Sequence, residues 1–133
     1  MSSKSTNLIT GATSGIGRAT AFELARQGHT LILPCRNMQK GELLKDEIIT
    51  DSRNEEVHLF ECDLSSQQSI RTAVKEILSK FDVIDILINN AGLHSPKLEL
   101  TEDNIEKTFA VNHLAYFLLT GLLLEAVKNS KNG

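Results

Sequence analysis

The sequence predicts an α/β fold, a doubly wound parallel sheet with helices on both faces. Three observations predict it. Strand-like and helix-like segments alternate along the chain with short links. One strand-like run, Val83-Ile84-Asp85-Ile86-Leu87-Ile88, is apolar on both faces apart from Asp85, as a buried parallel strand should be. The first strand runs directly into a glycine-rich turn, Gly11-Ala12-Thr13-Ser14-Gly15-Ile16-Gly17, which opens a helix pattern.

The elements follow in order. Asn7 to Thr10 reads as the first strand. From Gly15 to Gln27, the residues Ile16, Ala19, Phe22 and Ala25 trace a helical period, and Gly28 stops it. Thr30 to Leu33 is a second strand; Leu43, Leu44 and Ile48 mark a second helix, with Gly41 a weak point near its start. Val57 to Phe60 is a third strand. Ser65-x-x-Gln68 is a capping-box sequence, and the helix it starts puts Ile70, Ala73, Val74, Ile77 and Leu78 on one stripe. The fourth strand is Val83 to Ile88. Thr101 is placed to cap a short helix through Phe109, and a longer apolar helix runs from about Val111 to Lys128. Right-handed crossovers between parallel strands then give a Rossmann-type sheet of four strands in the order 3-2-1-4. With no linker, repeat or low-complexity segment, residues 1–133 read as one domain.

Composition excludes several classes. Hydrophobic content of 41% and charged content of 23% belong to a globular protein with a real core. A net charge of −3 offers no footprint for nucleic acid. Cys35 and Cys62 make no disulfide framework, and two free thiols without a redox switch are expected. The histidines show no metal-ligand spacing, so no metal is expected. The N-terminus carries no signal-peptide core, and the run from Phe117 to Leu124 is too short to span a bilayer. A cytoplasmic protein without a membrane segment is the expectation.

Three sites carry chemistry. At a strand-to-helix turn, Gly11, Gly15 and Gly17 let the backbone approach a ligand, and the helix start turns N–H groups toward it. A pyrophosphate suits that site. At the end of the second strand, dinucleotide-binding units place an acid for the ribose 2′-OH. Here the sequence reads Leu33-Pro34-Cys35-Arg36-Asn37, with no carboxylate. The Arg36 guanidinium suits a 2′-phosphate, which points to NADP(H) over NAD(H); the alternative is a solvated surface arginine. After the third strand comes Asp63-Leu64, where the aspartate either holds a ligand or caps a turn.

The spacing Thr10-Gly11-x-x-x-Gly15-x-Gly17, the run Asn89-Asn90-Ala91-Gly92 after the fourth strand, and Asn112 in Ala110-Val111-Asn112-His113-Leu114 together resemble the short-chain dehydrogenase/reductase family. Phe109 to Thr120 and Cys35-Arg36-Asn37 look most like its retinol-dehydrogenase-like branch. The resemblance implies a cofactor site for NADP(H) built from Gly11, Thr13, Ser14, Gly15, Ile16 and Gly17, with Arg36 and Asn37 beside them. It implies that Asp63 and Leu64 hold the adenine, and that Asn90, Ala91 and Gly92 line the cofactor and steady the sheet. It gives Asn112 a catalytic-site role, distorting its helix so that a backbone carbonyl holds a water in a proton relay.

Family chemistry moves a hydride between the nicotinamide and a carbonyl or alcohol carbon, with a Tyr-x-x-x-Lys pair moving the proton. The single tyrosine here reads Tyr116-x-x-x-Thr120 and lies before the family's fifth strand, so it is assigned to packing. The resemblance therefore implies an NADP-dependent oxidoreductase represented by its cofactor-binding half, cut before the fifth strand and lacking the catalytic Ser, Tyr and Lys. The alternatives are a non-catalytic nucleotide-binding or interaction module and an inactive truncated product. A carbonyl or alcohol substrate is expected only for a completed enzyme. An uncovered fourth strand, with Phe117, Leu118, Leu122 and Leu123 short of partners, predicts self-association or pairing with a missing C-terminal half.

Overall fold

The computed structural model describes residues 4–131. A parallel sheet runs in the order β3-β2-β1-β4, the order predicted. Its strands are β1 (Thr6–Ile9), β2 (Thr30–Cys35), β3 (Val57–Glu61) and β4 (Ile86–Ile88). Helices α1 (Gly15–Arg26), α2 (Met38–Ser52) and α3 (Gln67–Leu78) make the crossovers, and a short α4 (Lys107–Phe109) leads through a π turn at Ala110–Leu114 into α5 (Ala115–Lys128).

Strand alternation sorts the core into two layers. Leu8, Ile32 and Phe60 face α3 and α5, where Ile70, Ile77, Leu119 and Leu123 meet them. Ile9, Leu31, Leu33 and Val57 face α1 and α2, where Ala21, Ala25, Leu44 and Ile48 meet them. All six residues of β2 are buried, because both of its edges are paired and both of its faces are covered.

Several boundaries differ from expectation, each for a local reason. Helix α2 starts earlier, because the Asn37 side chain caps it by accepting from Lys40 N at 3.0 Å. Gly41 is no weak point: a Cβ there would come 2.7 Å from Cys35 Sγ, so its absence lets α2 settle on β2. Ser66, not Ser65, caps α3, accepting from Ser69 N at 3.1 Å. Thr101 starts no helix; Leu100 and Glu106 form an isolated bridge around a turn, and the Glu106 carboxylate caps α4 through Thr108 N and Phe109 N. Strand β4 keeps only three of the six residues expected. Ile84 is fully buried but lies outside the ladder, its N–H bonded to Ala126 O at 3.1 Å.

Asp85 explains its own place in that apolar run. Its carboxylate accepts from Thr6 N at 2.8 Å and from Ser130 Oγ at 2.6 Å, tying the end of α5 to the start of the sheet. Those two bonds, the serine's first, hold the carboxyl below the usual aspartate range.

Among the described residues, strand β4 pairs with β1 alone, and Ile86 is 45% exposed on the outer side. The packing deficit expected on α5 is narrower than its sequence implies. Leu123 is fully buried, Leu118 and Leu122 pack half-buried against the core, and Phe117 is exposed. The apolar run is also longer than Phe117 to Leu124. Helical residues run unbroken from Lys107 to Lys128, long and apolar enough to cross a membrane. In the fold, this segment lays Ala115, Leu119, Leu123 and Ala126 into the core beneath the sheet.

Candidate nucleotide site

Two turns meet at the carboxyl ends of β1 and β4. Thr10 is buried at the end of β1, and its hydroxyl accepts from Asn90 N at 3.0 Å and Ala91 N at 3.1 Å. The Asn90 side chain answers by donating to Thr10 O at 3.1 Å and Gly11 O at 3.3 Å. The turns can come this close because two glycines lack side chains. A Cβ on Gly11, which sits at φ +69°, would lie 2.7 Å from Ala91 Cα. On Gly17 it would lie 2.4 Å from both Asn90 Nδ2 and Gly11 O. Gly15 differs: its φ of +54° requires a glycine-like backbone, but nothing stands within 4 Å.

Above this junction opens a cleft of about 570 Å³. Of the residues assigned from the sequence, it is lined by Gly11, Thr13, Ser14, Gly15, Ile16, Arg36, Asp63, Leu64, Asn90, Ala91 and Gly92. Ser14 precedes α1 with an extended backbone, and its side chain caps nothing. The start of α1 therefore lines the cleft with no side chain capping its first-turn amides, as an anion site requires. The donors fit a dinucleotide: helix-start amides for a pyrophosphate, and an exposed guanidinium at the end of β2.

Three assigned residues stand outside the lining. Gly17 lies beneath it, packed on Asn90, and Asn37 caps α2 with its Oδ1. Asn112 works one layer back. Its Oδ1 accepts from Leu93 N at 2.9 Å and its Nδ2 donates to Leu93 O at 2.7 Å, so it clamps the residue that follows the Asn90-Ala91-Gly92 turn. It also sits in the π turn, where Ala115 N reaches back to Ala110 O, so the helix is distorted where the resemblance implies. Asp63 serves its own turn with one oxygen: Oδ1 accepts from Ser65 N at 2.9 Å and Ser65 Oγ at 2.7 Å. The turn-forming alternative thus holds for that oxygen, while the residue still lines the cleft.

Tyr116 packs, as expected, but with a cost. Its hydroxyl is buried and makes no hydrogen bond of ordinary geometry. Burial raises its pKa, and the nearby Thr10 hydroxyl offsets only part of the rise. Cys35 and Cys62 are buried free thiols at the cleft wall. Burial, with Asp63 adding to it, pushes Cys62 up to about 12. Cys35 rises for the same first reason, so neither thiol is a nucleophile near neutral pH.

Sequence reasoning missed Ser65, Leu93, Lys107 and Val111 in the lining. Val111 and Leu93 flank motifs that were found, and adjacency alone could have flagged them. Lys107 had no such signal, since only the packing of α4 brings it to the cleft.

Compared with known families, residues 5–133 match short chain dehydrogenase. Human retinol dehydrogenase 13 is 46% identical over 125 residues, covering 94% of this chain and 38% of that protein. Mouse retinol dehydrogenase 12 is 46% identical over 123 residues, covering 92% of this chain and 39% of that protein. This chain thus spans about two fifths of the length of these relatives. Among solved structures, an alcohol dehydrogenase from Thermococcus sibiricus complexed with 5-hydroxy-NADP superposes with a TM-score of 0.81 at 31% identity, over 95% of this chain and 54% of that one. A short-chain dehydrogenase from Sphingobium yanoikuyae in complex with NADPH gives 0.74 at 33% identity, over 90% and 46%. The glycine turn, its lock to Asn90 and the cleft above them are therefore those of a short-chain dehydrogenase, and the chain belongs to that family.

Proposed function

We propose that residues 1–133 are the NADP(H)-binding domain of a retinol-dehydrogenase-like oxidoreductase that interconverts carbonyls and alcohols. The observation that carries the reading is Arg36, exposed at the end of β2 and lining the cleft where a NAD site would carry an acid. NADPH, when bound, supplies a hydride. These residues hold it: the amides opening α1 take the pyrophosphate, Arg36 takes the 2′-phosphate, and Asp63 and Leu64 flank the adenine. Asn112 keeps Leu93 in place beside the cleft through its paired bonds. The π turn at Ala110–Leu114 supports the water-holding role that the family resemblance gives to the helix around Asn112.

NADPH and NADH titrations of the chain, with and without Arg36→Glu, test this. A charge-assisted pair contributes about 1.5–3 kcal/mol, so wild type should prefer NADPH by roughly ten- to a hundredfold. The substitution should erase that preference. Equal affinities in wild type, or a ratio unmoved by Arg36→Glu, would remove the assignment.

One observation favours a second reading for these residues taken on their own, a nucleotide-holding module without catalysis. The only tyrosine has a buried hydroxyl and Thr120, not a lysine, four residues on. NADPH and retinal given to a longer chain that carries a Tyr-x-x-x-Lys pair separate the two, because turnover there excludes the module and binding without turnover favours it.

A further inference from the structure

Two cations line the cleft, and only Arg36 has been given a role. The second is Lys107, the first residue of α4, which reaches the lining beside Ser65, Leu93 and Val111. Lys107 also borders a neighbouring polar cavity of about 430 Å³, whose walls include Glu99 and Glu102. It therefore stands between an acidic recess and the main cleft.

Its position is held from the recess side. Lys107 Nζ donates to Glu99 Oε2 at 3.3 Å, and Lys107 N donates to Glu99 O at 2.9 Å. Ser95 Oγ donates to the same carboxylate oxygen at 3.0 Å, fixing Glu99 in turn. The lysine side chain is 32% exposed and the glutamate 51%. An ion pair this open adds little to stability. An ammonium carries three donors, so a single bond to Glu99 leaves capacity for a ligand. A phosphorylated dinucleotide brings several negative charges to within about a Debye length, ~10 Å at 0.1 M salt, of any cation on the wall.

We infer that Lys107 is a second cationic contact for the bound dinucleotide and that Glu99 restrains it, competing with the ligand for the ammonium. The inference rests on the NADP(H) reading of the cleft. It makes Lys107 an affinity determinant on α4, an element that none of the glycine, Arg36 or Asp63 positions belongs to.

The test is NADPH titration of wild type, Lys107→Met, Glu99→Gln and the double variant, each at low and high salt. Lys107→Met should weaken binding about three- to fivefold at ~20 mM salt, and the difference should vanish by ~0.5 M. Glu99→Gln should tighten binding about twofold by releasing the ammonium, as expected for removal of an exposed pairing. The double variant should match Lys107→Met, because the gain needs the lysine. A tighter Glu99→Gln cannot come from damaged folding. Unchanged binding in Lys107→Met at low salt would overturn the inference, as would tightening by Glu99→Gln that survives in the double variant. If wild type binds no NADPH, the parent reading falls and this one with it. If wild type binds and Arg36→Glu alone weakens it, only the role of Lys107 falls.

Discussion

The two sides of the cleft are built on opposite terms. On the β1–β4 side, Thr10, Gly11, Gly17, Asn90 and Ala91 spend their hydrogen bonds and their missing side chains on one another. On the β2–β3 side, Arg36 is exposed, Asp63 keeps an oxygen apart from its own turn, and the strand ends are joined by a backbone bond, Cys62 N to Cys35 O at 3.0 Å, rather than by side chains. The difference teaches that motif glycines need not serve the ligand directly. Gly11 and Gly17 are required for one turn to touch another, and the cleft's shape follows from that contact. On the proposed reading, discrimination between ligands falls to the other side, where the Arg36 side chain is exposed.

The largest test is Gly17→Ala. With a Cβ 2.4 Å from Asn90 Nδ2 and Gly11 O, the two turns must part. Overpacking of this kind costs about 3 kcal/mol. Urea melts should show that loss, with NADPH binding gone; a loss below about 1 kcal/mol would mean the lock is soft. Next is Asn90→Ala, which removes the donor to Thr10 O and Gly11 O. Stranding those acceptors should cost about 2 kcal/mol in the same melts. Tyr116→Phe carries the opposite sign. Deleting a buried hydroxyl without a partner should stabilise the fold by about 1 kcal/mol, and a destabilised variant would show that the phenol makes a bond the fold needs. Smallest is Arg36→Gln, where stability should stay within about 0.5 kcal/mol while NADPH affinity falls. A large stability loss there would erase the contrast between the two sides.

The sheet order was legible because glycine punctuation and apolar runs agree along the chain. Rossmann order follows once four parallel strands and right-handed crossovers are granted. Most of the cleft lining was legible too, since it sits at strand ends that the runs mark. What escaped were competitions between neighbours. From the sequence Asn37 reads only as a cofactor residue, and its Oδ1 also caps α2. Ser65 and Ser66 both precede α3, and only packing decides that Ser66 caps while Ser65 bonds Asp63. The extent of β4 follows its ladder to β1, with Ile84 N bonded to α5 instead, and hydrophobicity alone does not encode either. Lys107 was invisible because its approach to the cleft is a tertiary fact.

The lock between Thr10 and Asn90 also sets an order of assembly. Its partners lie 80 residues apart. Chains emerge at about 5–20 residues per second, so during synthesis the glycine turn waits roughly 4–16 s for the residues that close it. Until then β1 is an edge strand paired only with β2, and its carboxyl end carries an unsecured turn. The earliest part of the sheet to be made is therefore closed only once Asn90 has emerged, and a ligand that needs the closed turn reports on that closure.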